Sequence, residues 1–235
     1  MENLTLVIPA KKEKESLPTV LEELIKFKLE IIIVLEKTDT DTINAIKNFN
    51  CKILYQDNKG YGDALIQGIN SVSTKYFCIF NADGSFNPLE LVDMHKTIQK
   101  DEIKLIFASR YEKGCSSDDD TFITYFGNFL FTKLGRIFFG LKITDILYTF
   151  VMGSTEVFKN LDIQNKDFTF CVELPIKANK NKILLSTSKS NERARIGGKK
   201  KVNAFKDGAL ILIAISVYCI VYFILYRNLK LYLKK

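Results

Sequence analysis

Short apolar segments alternate with helical segments from residue 4 to residue 109, and this alternation limits the fold more than any other feature of the sequence. Residues 31–35 (IIIVL) form a continuous apolar run rich in β-branched side chains, which is typical of a parallel strand buried on both faces. Alternation at this spacing predicts an α/β fold with a mostly parallel sheet and flanking helices. The predicted strands are 4–9, 31–35, 52–55, 76–80 and 103–109, and the predicted helices are 17–27, 41–49, 62–71 and 88–100.

Four loops follow the first four predicted strands and read PAKKEKE, LEKTDTDT, DNKGYGDA and NADGS in chain order. Ligands of parallel α/β sheets bind beyond the carboxyl ends of the strands, so we expect these loops to converge on one crevice. In the third loop Gly60 and Gly62 precede a helix, which allows close approach of the backbone to an anion. A simple turn at the start of a helix has the same pattern.

The fourth loop, NADGS, places Asn81, Asp83 and Ser85 at the end of a strand, where a pair of carboxylates would hold a metal ion. Mg²⁺ prefers oxygen ligands and takes only one or two of them from protein carboxylates. Asp83 is the carboxylate of this loop, Asn81 offers a neutral carbonyl oxygen, and Ser85 offers a hydroxyl or holds a water. Taken alone, the loop is more typical of an Asp-Gly turn that ends a strand, and a metal contact at Asp83 is the alternative.

The C-terminal region predicts one membrane span. Residues 208–226 contain no charged side chain, and nineteen helical residues reach about 28 Å, close to the thickness of the bilayer core. We expect a globular domain over residues 1–192, a basic juxtamembrane segment over 193–207, a transmembrane helix over 208–226 and a basic tail over 227–235. Basic residues are denser before the span than after it, which predicts that the large domain lies on the cytoplasmic face.

Charge and cysteine content exclude several classes of protein. Residues 193–235 carry a formal charge of +9, so residues 1–192 carry −2 by difference from the total of +7. A nucleic-acid binder usually spreads basic residues over its globular face, so we expect no nucleic-acid partner. The five scattered cysteines form no C-x-x-C pair, which disfavours a zinc site or a disulfide framework and fits a reducing compartment. The acidic N-terminal residues predict no signal peptide.

Residues 122–141 (FITYFGNFLFTKLGRIFFGL) are helical in pattern, rich in aromatic residues and nearly free of charge. One interpretation is a helix of the protein core. The other is an interfacial helix that lies on the membrane beside the anchor.

Seven segments occur in a recognisable order: VIPAKKEKESLPTVLEEL, NKGYGDALIQGI, FCIFNADGSFNPLEL, ASRYEKG, GNFLFTKLGRIFFGLKITD, FTFCVELPIKA and RARIGGKKKVNAFKDG. The series resembles the family 2 glycosyltransferases of GT-A fold, and among them the dolichol-phosphate mannose synthases and polyprenyl-phosphate hexosyltransferases. The resemblance covers residues 4–208. It implies transfer of a sugar, with inversion, from a nucleotide-sugar to a membrane-bound polyprenyl (dolichyl or undecaprenyl) phosphate, with Mg²⁺ or Mn²⁺ as cofactor.

The resemblance also implies roles for single residues. A polyprenyl phosphate is largely dianionic near neutral pH, so it needs positive charge to align it more than it needs a general base. The catalytic positions are Asp83, Arg110 and Glu173, of which Glu173 matches a family acid near the reaction centre. The metal ligands are Asp83, Asn81 and Ser85. The donor-binding positions are Pro9, Glu13, Glu36, Gly60, Gly62, Asp63 and Asn81. The acceptor-phosphate positions are Arg110, Arg193, Arg195, Lys199 and Lys200.

The chain departs from the family pattern at several loops. The first loop has Lys11 and Lys12 where the family has an aromatic residue before the acid, and the second keeps only Glu36 of its acids. Asn81 replaces the first carboxylate of the Asp-x-Asp pair, and residues 148–151 lack a glycine and a charge. The alternative hypothesis is therefore a catalytically impaired relative that serves as a membrane-tethered binding or scaffold protein.

Overall fold

The computed structural model describes residues 1–100, 102–197 and 203–232, with side chains as far as Tyr222. The strands are β1 Leu4–Pro9, β2 Glu30–Leu35, β3 Lys52–Tyr55, β4 Tyr76–Ile79, β5 Leu105–Ser109, β6 Val151–Ser154 and β7 Leu185–Lys189. The helices are α1 Leu17–Ile25, α2 Thr40–Ile46, α3 Tyr61–Asn70, α4 Glu90–Ile98, α5 Phe122–Phe139, α6 Thr155–Asn160, α7 Phe170–Lys180 and α8 Ala204–Tyr232.

The strands form one sheet in the order β3-β2-β1-β4-β6-β5-β7. All pairs are parallel except those of β6, which runs antiparallel to both β4 and β5. The mostly parallel sheet predicted from the alternation is therefore confirmed. The short β6 separates β4 from β5, so the polar ends of β4 and β5 lie two strands apart on the same edge.

Apolar side chains pack on both faces of the sheet. On one face Phe77 meets Phe158 edge to face, with the ring centroids 5.3 Å apart. On the other face Phe86, which follows the NADGS loop, stacks on Phe150 with the centroids 4.6 Å apart. Phe86 and Phe150 are both fully buried. This packing fixes the end of the loop after β4, because Phe86, the residue that follows it, is held in the core.

Helix α8 is the candidate membrane span of the described residues, and 11% of its segment Ala204–Tyr222 is buried against the rest of the chain. The helix begins inside the segment predicted to be juxtamembrane (193–207) and continues through residues 227–232 of the predicted tail. The helix therefore extends beyond the predicted bounds 208–226 at both ends.

Helix α5 has two different sides. Phe131 and Phe139 are buried, and the ring of Phe139 lies 6.2 Å from the ring of Tyr222 on α8. The other side exposes large apolar residues: Phe122, Ile123, Tyr125, Phe126, Phe129, Ile137 and Phe138. Helix α5 is therefore not enclosed in the core: its buried side packs against α8, and its other side exposes apolar residues.

Candidate functional site

A cavity of about 590 Å³ lies at the carboxyl edge of the sheet. The loops after β1, β2, β3 and β4 all contribute to it, so the four loops converge as predicted. The loop after β5 also contributes Arg110, and the cavity extends along α5 and α7 to Ile211 of α8. The predicted site residues that line it are Pro9, Glu13, Glu36, Gly60, Asn81, Asp83, Ser85, Arg110 and Arg195.

The NADGS loop presents one oxygen of Asp83 to the cavity. Asp83 Oδ1 accepts hydrogen bonds from the backbone N of Ser85 at 3.0 Å and from its Oγ at 2.7 Å. Asn81 Nδ2 donates to Ser85 Oγ at 3.4 Å. Gly84 adopts φ +84°, a left-handed conformation that glycine adopts readily. The other carboxylate oxygen of Asp83, Oδ2, lies 3.4 Å from Nη2 of Arg195.

This donor set fits a hard divalent ion that takes most of its ligands from elsewhere. Among the described residues, no group of three or more His, Cys, Asp or Glu side chains is placed to hold a metal. Asp83 offers one carboxylate and Asn81 one amide oxygen, whereas Ser85 Oγ donates to Asp83 and mainly orients it. Mg²⁺ and Mn²⁺ accept such oxygen ligands and complete their shells with phosphate oxygens and water.

Residues 190–197, which we call the strap, cross over the NADGS loop. The backbone N of Arg193 donates to Ser85 O and that of Ile196 donates to Asp83 O, both at 2.8 Å. The strap also pairs with the loop between β5 and α5, because the backbone N of Glu192 donates to Ser116 O at 3.0 Å. The strap therefore ties three parts of the cavity wall together.

Arg195 of the strap bridges two carboxylates. Its Nε and Nη2 donate to Asp119 at 3.2 and 3.1 Å, and Nη2 also lies 3.4 Å from Asp83. The hydrogen bond to Asp119, together with the nearby charge of Asp83, raises the pKa of Arg195. Arg195 was predicted to bind phosphate, and the structure brings it to the candidate metal loop.

Arg110 also lines the cavity but is held by carboxylates on more than one side. Its Nε donates to Asp145 Oδ2 at 2.8 Å, its Nη2 to Asp145 Oδ1 at 3.1 Å, and its Nη1 to Glu192 at 3.0 Å. The guanidinium lies 4.6 Å above the ring of Tyr148. Burial opposes the charge, but the carboxylates of Asp145 and Glu192 raise the pKa of Arg110. Arg110 was predicted to bind phosphate, but its positive charge is already compensated by the carboxylates of Asp145 and Glu192.

Loops after β1 and β2 close the opposite end of the cavity. Lys11 Nζ contacts Glu36 Oε1 at 2.9 Å, and this hydrogen bond lowers the pKa of Glu36. Glu13 is buried and accepts a hydrogen bond from Ser16 Oγ at 2.8 Å. The two acids predicted for the donor end therefore line the same cavity, and Lys11 pairs with one of them, Glu36.

Gly60, which precedes α3, and Gly62, in its first turn, both pack closely against the loop 164–167. A Cβ on Gly60 would lie 2.0 Å from Lys166 O, and a Cβ on Gly62 would lie 2.3 Å from Asn165 O. Both glycines therefore allow the loop 164–167 to pack against the start of α3. Gly60 still lines the cavity, whereas Gly62 lies outside its lining.

Asp63 and Glu173 lie behind the cavity wall rather than in it. Asp63 is buried and accepts hydrogen bonds from the side chains of Gln56 and Gln67 at 3.2 and 2.6 Å. Glu173 is buried on α7 and accepts from the backbone N atoms of Gln164 and Asn165 at 3.0 and 2.7 Å. Glu173 thus fixes the 164–167 loop, which packs on Gly60, and in this structure Glu173 supports the cavity wall from behind.

The predicted acceptor residues divide into three groups. Arg195 reaches the cavity, whereas the side chain of Arg193 turns to Glu23 of α1, with Nη2 2.9 Å from Glu23 Oε2. Lys199 and Lys200 lie outside the described residues.

Sequence reasoning missed the acids Asp119, Asp120 and Glu192, which all line the cavity. The run Asp118-Asp119-Asp120 was the available signal, but it reads as a solvated loop.

Comparison with known proteins identifies the architecture. Residues 5–162 match the Glycosyl transferase family 2. An uncharacterized glycosyltransferase of Mycobacterium bovis is 27% identical over 97 residues, and so is one of Mycobacterium tuberculosis; each match spans 41% of this chain and 44% of the relative. The chain thus matches less than half the length of these relatives.

Solved structures share the fold at low identity. Glucosyl-3-phosphoglycerate synthase from Mycobacterium tuberculosis in complex with UDP superposes with a TM-score of 0.73 at 14% identity, over 92% of this chain and 79% of that one. Mannosyl-3-phosphoglycerate synthase from Rubrobacter xylanophilus gives a TM-score of 0.69 at 12% identity, over 99% and 75%. The predicted GT-A fold is confirmed, and with the match over residues 5–162 the chain belongs to glycosyl transferase family 2.

Proposed function

We propose that this glycosyltransferase moves a sugar from a nucleotide-sugar to a membrane-bound polyprenyl phosphate, with inversion, as the dolichol-phosphate mannose synthase group does. One observation carries the proposal. The same cavity is lined by Asp83 at the sheet edge and by Ile211 of the candidate membrane span. The phosphate of a lipid that lies in the bilayer beside α8 would therefore have a short path to the loop where the donor's diphosphate binds.

The charges of the cavity support a bound divalent ion. The described lining residues include three bases (Lys11, Arg110, Arg195) and six acids (Glu13, Glu36, Asp83, Asp119, Asp120, Glu192). An excess of acid repels both a diphosphate and a dianionic lipid phosphate unless cations accompany them. Asp83 and Asn81 would hold Mg²⁺ or Mn²⁺, which stabilises negative charge on the leaving diphosphate. Among the solved relatives, glucosyl-3-phosphoglycerate synthase from Mycobacterium tuberculosis was crystallised with Mn²⁺ and UDP-glucose.

The remaining residues position the substrates. Glu13 and Glu36, at the far end of the cavity, face the place of the nucleobase, and Gly60 borders the donor. Ser85 fixes the carboxylate of Asp83, and Arg195 supplies the positive charge nearest to it. Because the acceptor phosphate is already an anion, no residue needs to remove a proton from it before attack.

Two helices would hold the enzyme at the membrane. The apolar segment of α8 would span the bilayer, with the domain on the cytoplasmic face. The exposed aromatic side of α5 would lie in the interface beside it, since Phe122, Phe126 and Phe129 are more than half exposed. This arrangement keeps the cavity at the level of the lipid head groups.

The proposal is tested with the full chain reconstituted in lipid nanodiscs that contain polyprenyl phosphate. A panel of UDP- and GDP-sugars is added with MgCl₂ or MnCl₂, and lipid products are identified by mass spectrometry. We expect one donor to give a sugar-lipid, EDTA to abolish it, and Asp83→Ala to slow it at least about 100-fold, as loss of electrostatic stabilisation does. Asp93→Ala is the matched control, because Asp93 is exposed on α4 away from the cavity.

Two results would contradict the proposal: no sugar-lipid with any donor, or undiminished transfer by Asp83→Ala. A parallel reaction with 3-phosphoglycerate tests the type of acceptor named for the solved relatives.

The rival hypothesis, a membrane-tethered binding or scaffold protein, rests on the lost acids at Asn81 and in the second loop. Metal-dependent binding of UDP- or GDP-sugars in the micromolar range by calorimetry, accompanied by turnover, would count against the rival.

A further inference from the structure

Arg195 contacts the carboxylate oxygen of Asp83 that a divalent ion would use. We propose that Arg195 and the ion compete for Asp83, that Asp119 keeps the displaced guanidinium at the cavity wall, and that the donor's diphosphate removes the competition by binding both cations. This inference rests on the proposed function and assigns a role to Asp119, which the sequence reasoning did not single out.

The competition follows from the hydrogen bonds of Asp83. Oδ1 accepts from both the backbone N and the Oγ of Ser85, at 3.0 and 2.7 Å. Oδ2 is the oxygen that faces Arg195, 3.4 Å from Nη2. A divalent ion that binds Oδ2 is therefore brought within a few ångströms of a guanidinium, where two positive charges repel strongly in a partly buried site. Asp83 and Arg195 are mostly shielded, with side chains 12% and 23% exposed.

Asp119 explains why the guanidinium would remain nearby once it leaves Asp83. Its two carboxylate oxygens accept from Nε and Nη2 of Arg195, a bidentate contact that a planar guanidinium makes well. The neighbouring backbone is fixed, since the N of Asp118 donates to Glu192 O at 3.0 Å. Asp119 thus holds Arg195 through a contact that does not involve the NADGS loop.

A diphosphate changes the balance, because it brings negative charge that both cations can share. The contacts with Asp119 and Asp83 use Nε and Nη2, whereas a guanidinium carries five N–H donors in all. Arg195 can therefore exchange Asp83 for a phosphate oxygen without leaving Asp119. Metal and nucleotide then bind cooperatively, and this coupling is reciprocal by thermodynamic necessity.

The strap supplies its own control. Arg193 stands two residues before Arg195, carries the same charge and also pairs with a carboxylate, but its partner is Glu23 on α1. The backbone N of Arg193 donates to Ser85 O whatever its side chain. Replacing Arg193 removes the same formal charge from the same segment. It also removes a hydrogen bond from Nη2 to Phe86 O at 2.8 Å, but it removes no contact with Asp83.

The test measures Mn²⁺ binding to the full chain in nanodiscs by the loss of the free Mn²⁺ signal in electron paramagnetic resonance, with and without UDP or GDP. We expect Arg195→Gln to bind Mn²⁺ alone about tenfold more tightly than the wild type, the usual size of such couplings. The gain that the nucleotide gives should be smaller in Arg195→Gln, because only direct coordination of Mn²⁺ by the diphosphate remains. Arg193→Gln should behave as the wild type. Asp119→Asn should weaken nucleotide binding in the presence of Mn²⁺ several-fold, because Arg195 is no longer retained.

Several outcomes would overturn the inference: unchanged or weaker Mn²⁺ binding by Arg195→Gln, an equal effect of Arg193→Gln, or no Mn²⁺ binding by any variant. Arg195→Lys is the second variant, used where the glutamine variant does not fold. Lysine keeps the charge but cannot make the bidentate contact, so its Mn²⁺ affinity should be intermediate. The measurement uses neither polyprenyl phosphate nor a nucleotide-sugar, so a failure to find a sugar-lipid product leaves it intact. A failure of the competition between Arg195 and Mn²⁺ likewise leaves the transferase proposal intact.

Discussion

Two arginines line the same cavity, and each lies between carboxylates, yet their surroundings differ. Arg110 has a side chain 11% exposed, and its partner Asp145 has one that is fully buried. Arg195 is 23% exposed, and its partners Asp83 and Asp119 are 12% and 18% exposed. Arg110 also lies against aromatic rings, whereas Arg195 faces the loop that is expected to meet the donor.

The difference in burial indicates that one arginine stabilises the fold and that the other is free to bind a ligand. A buried ion pair that also fills its hydrogen bonds fixes the geometry around it, and removing one partner leaves an uncompensated charge. A partly exposed pair can exchange partners at small cost, because water solvates whichever group is released. We therefore infer that Arg110 holds the cavity wall together and that Arg195 is the residue that changes partners.

The largest expected effect is that of Arg110→Met. It should lower the free energy of unfolding by about 3–5 kcal/mol, because the buried carboxylate of Asp145 would lose its counter-charge. Unfolding of the detergent-solubilised chain, followed by far-UV circular dichroism in urea, measures the change. The paired variant Arg110→Met/Asp145→Asn removes both charges and should recover part of the loss. Wild-type stability of Arg110→Met together with weaker substrate binding would reverse our assignment of the two arginines.

A smaller effect is expected from Gly84→Ala, which tests the contact between the NADGS loop and the strap. Gly84 has φ +84°, and a Cβ there would lie 2.5 Å from Cδ1 of Ile196. The left-handed conformation alone costs a non-glycine residue about 1–2 kcal/mol. Gly114→Ala is a matched control, because Gly114 has φ +88° but no atom within 4 Å of the added Cβ. If Gly84→Ala lowers the free energy of unfolding in urea more than Gly114→Ala does, the difference measures the contact with the strap. Equal losses would show that this contact does not contribute to stability.

The sequence predicted the first five strands well, because each is a short apolar run between polar loops. It did not predict β6 and β7. Strand β7 (LSTSK) is polar and only partly buried, so no hydrophobic pattern predicts it. Strand β6 joins the sheet antiparallel between β4 and β5, a position set by partners more than 40 residues away along the chain. Such long-range pairing leaves no local periodicity.

The site was predicted in part for the same reason. Asp83 follows a strand directly, so the rule for strand ends identifies it. Asp119 reaches the cavity only because residues near Ser117 pair with Glu192, a contact across 75 residues. Glu173 and Gly62 fit family positions, but the structure gives them contacts with the 164–167 loop. Contacts between distant loops, such as the one that brings Asp119 to the cavity, are therefore what sequence patterns do not predict. The roles predicted for Glu173 and Gly62 stay predictions.

Arg195→Gln should change stability less than Arg110→Met, by about 1–2 kcal/mol, because Arg195 and Asp119 are more exposed than Arg110 and Asp145 and water solvates the freed carboxylate. Arg193→Gln, which removes the contact with Glu23, should give a similar small change. Urea unfolding of both variants beside the wild type measures this. A loss of several kcal/mol for Arg195→Gln alone would show that Arg195 is as structural as Arg110, and the contrast between the two arginines would disappear.

The smallest effect is expected from Glu192→Gln, at the strap residue that holds Arg110. Burial raises the pKa of Glu192, although Arg110 and Ser117 partly oppose the shift. The folded state therefore keeps a proton on Glu192 at pH values where the unfolded state has lost it, and stability falls as pH rises through that interval. The interval begins near the ordinary glutamate pKa of about 4.3 and extends upward to the raised pKa. Glutamine carries no titrating proton, so the variant should lack this part of the fall.

Urea unfolding at a series of pH values, from about 4 upward through the glutamate range, compares the wild type with Glu192→Gln. Glu22→Gln, which removes an exposed carboxylate of α1, corrects for the change in net charge. We expect the stability of Glu192→Gln to gain on that of the wild type as pH rises. If the wild type instead gains on the variant, the ionised carboxylate is favoured by Arg110 more than burial disfavours it. Arg110 would then stabilise two ionised carboxylates at once, Asp145 and Glu192, which would strengthen its assignment as a structural charge.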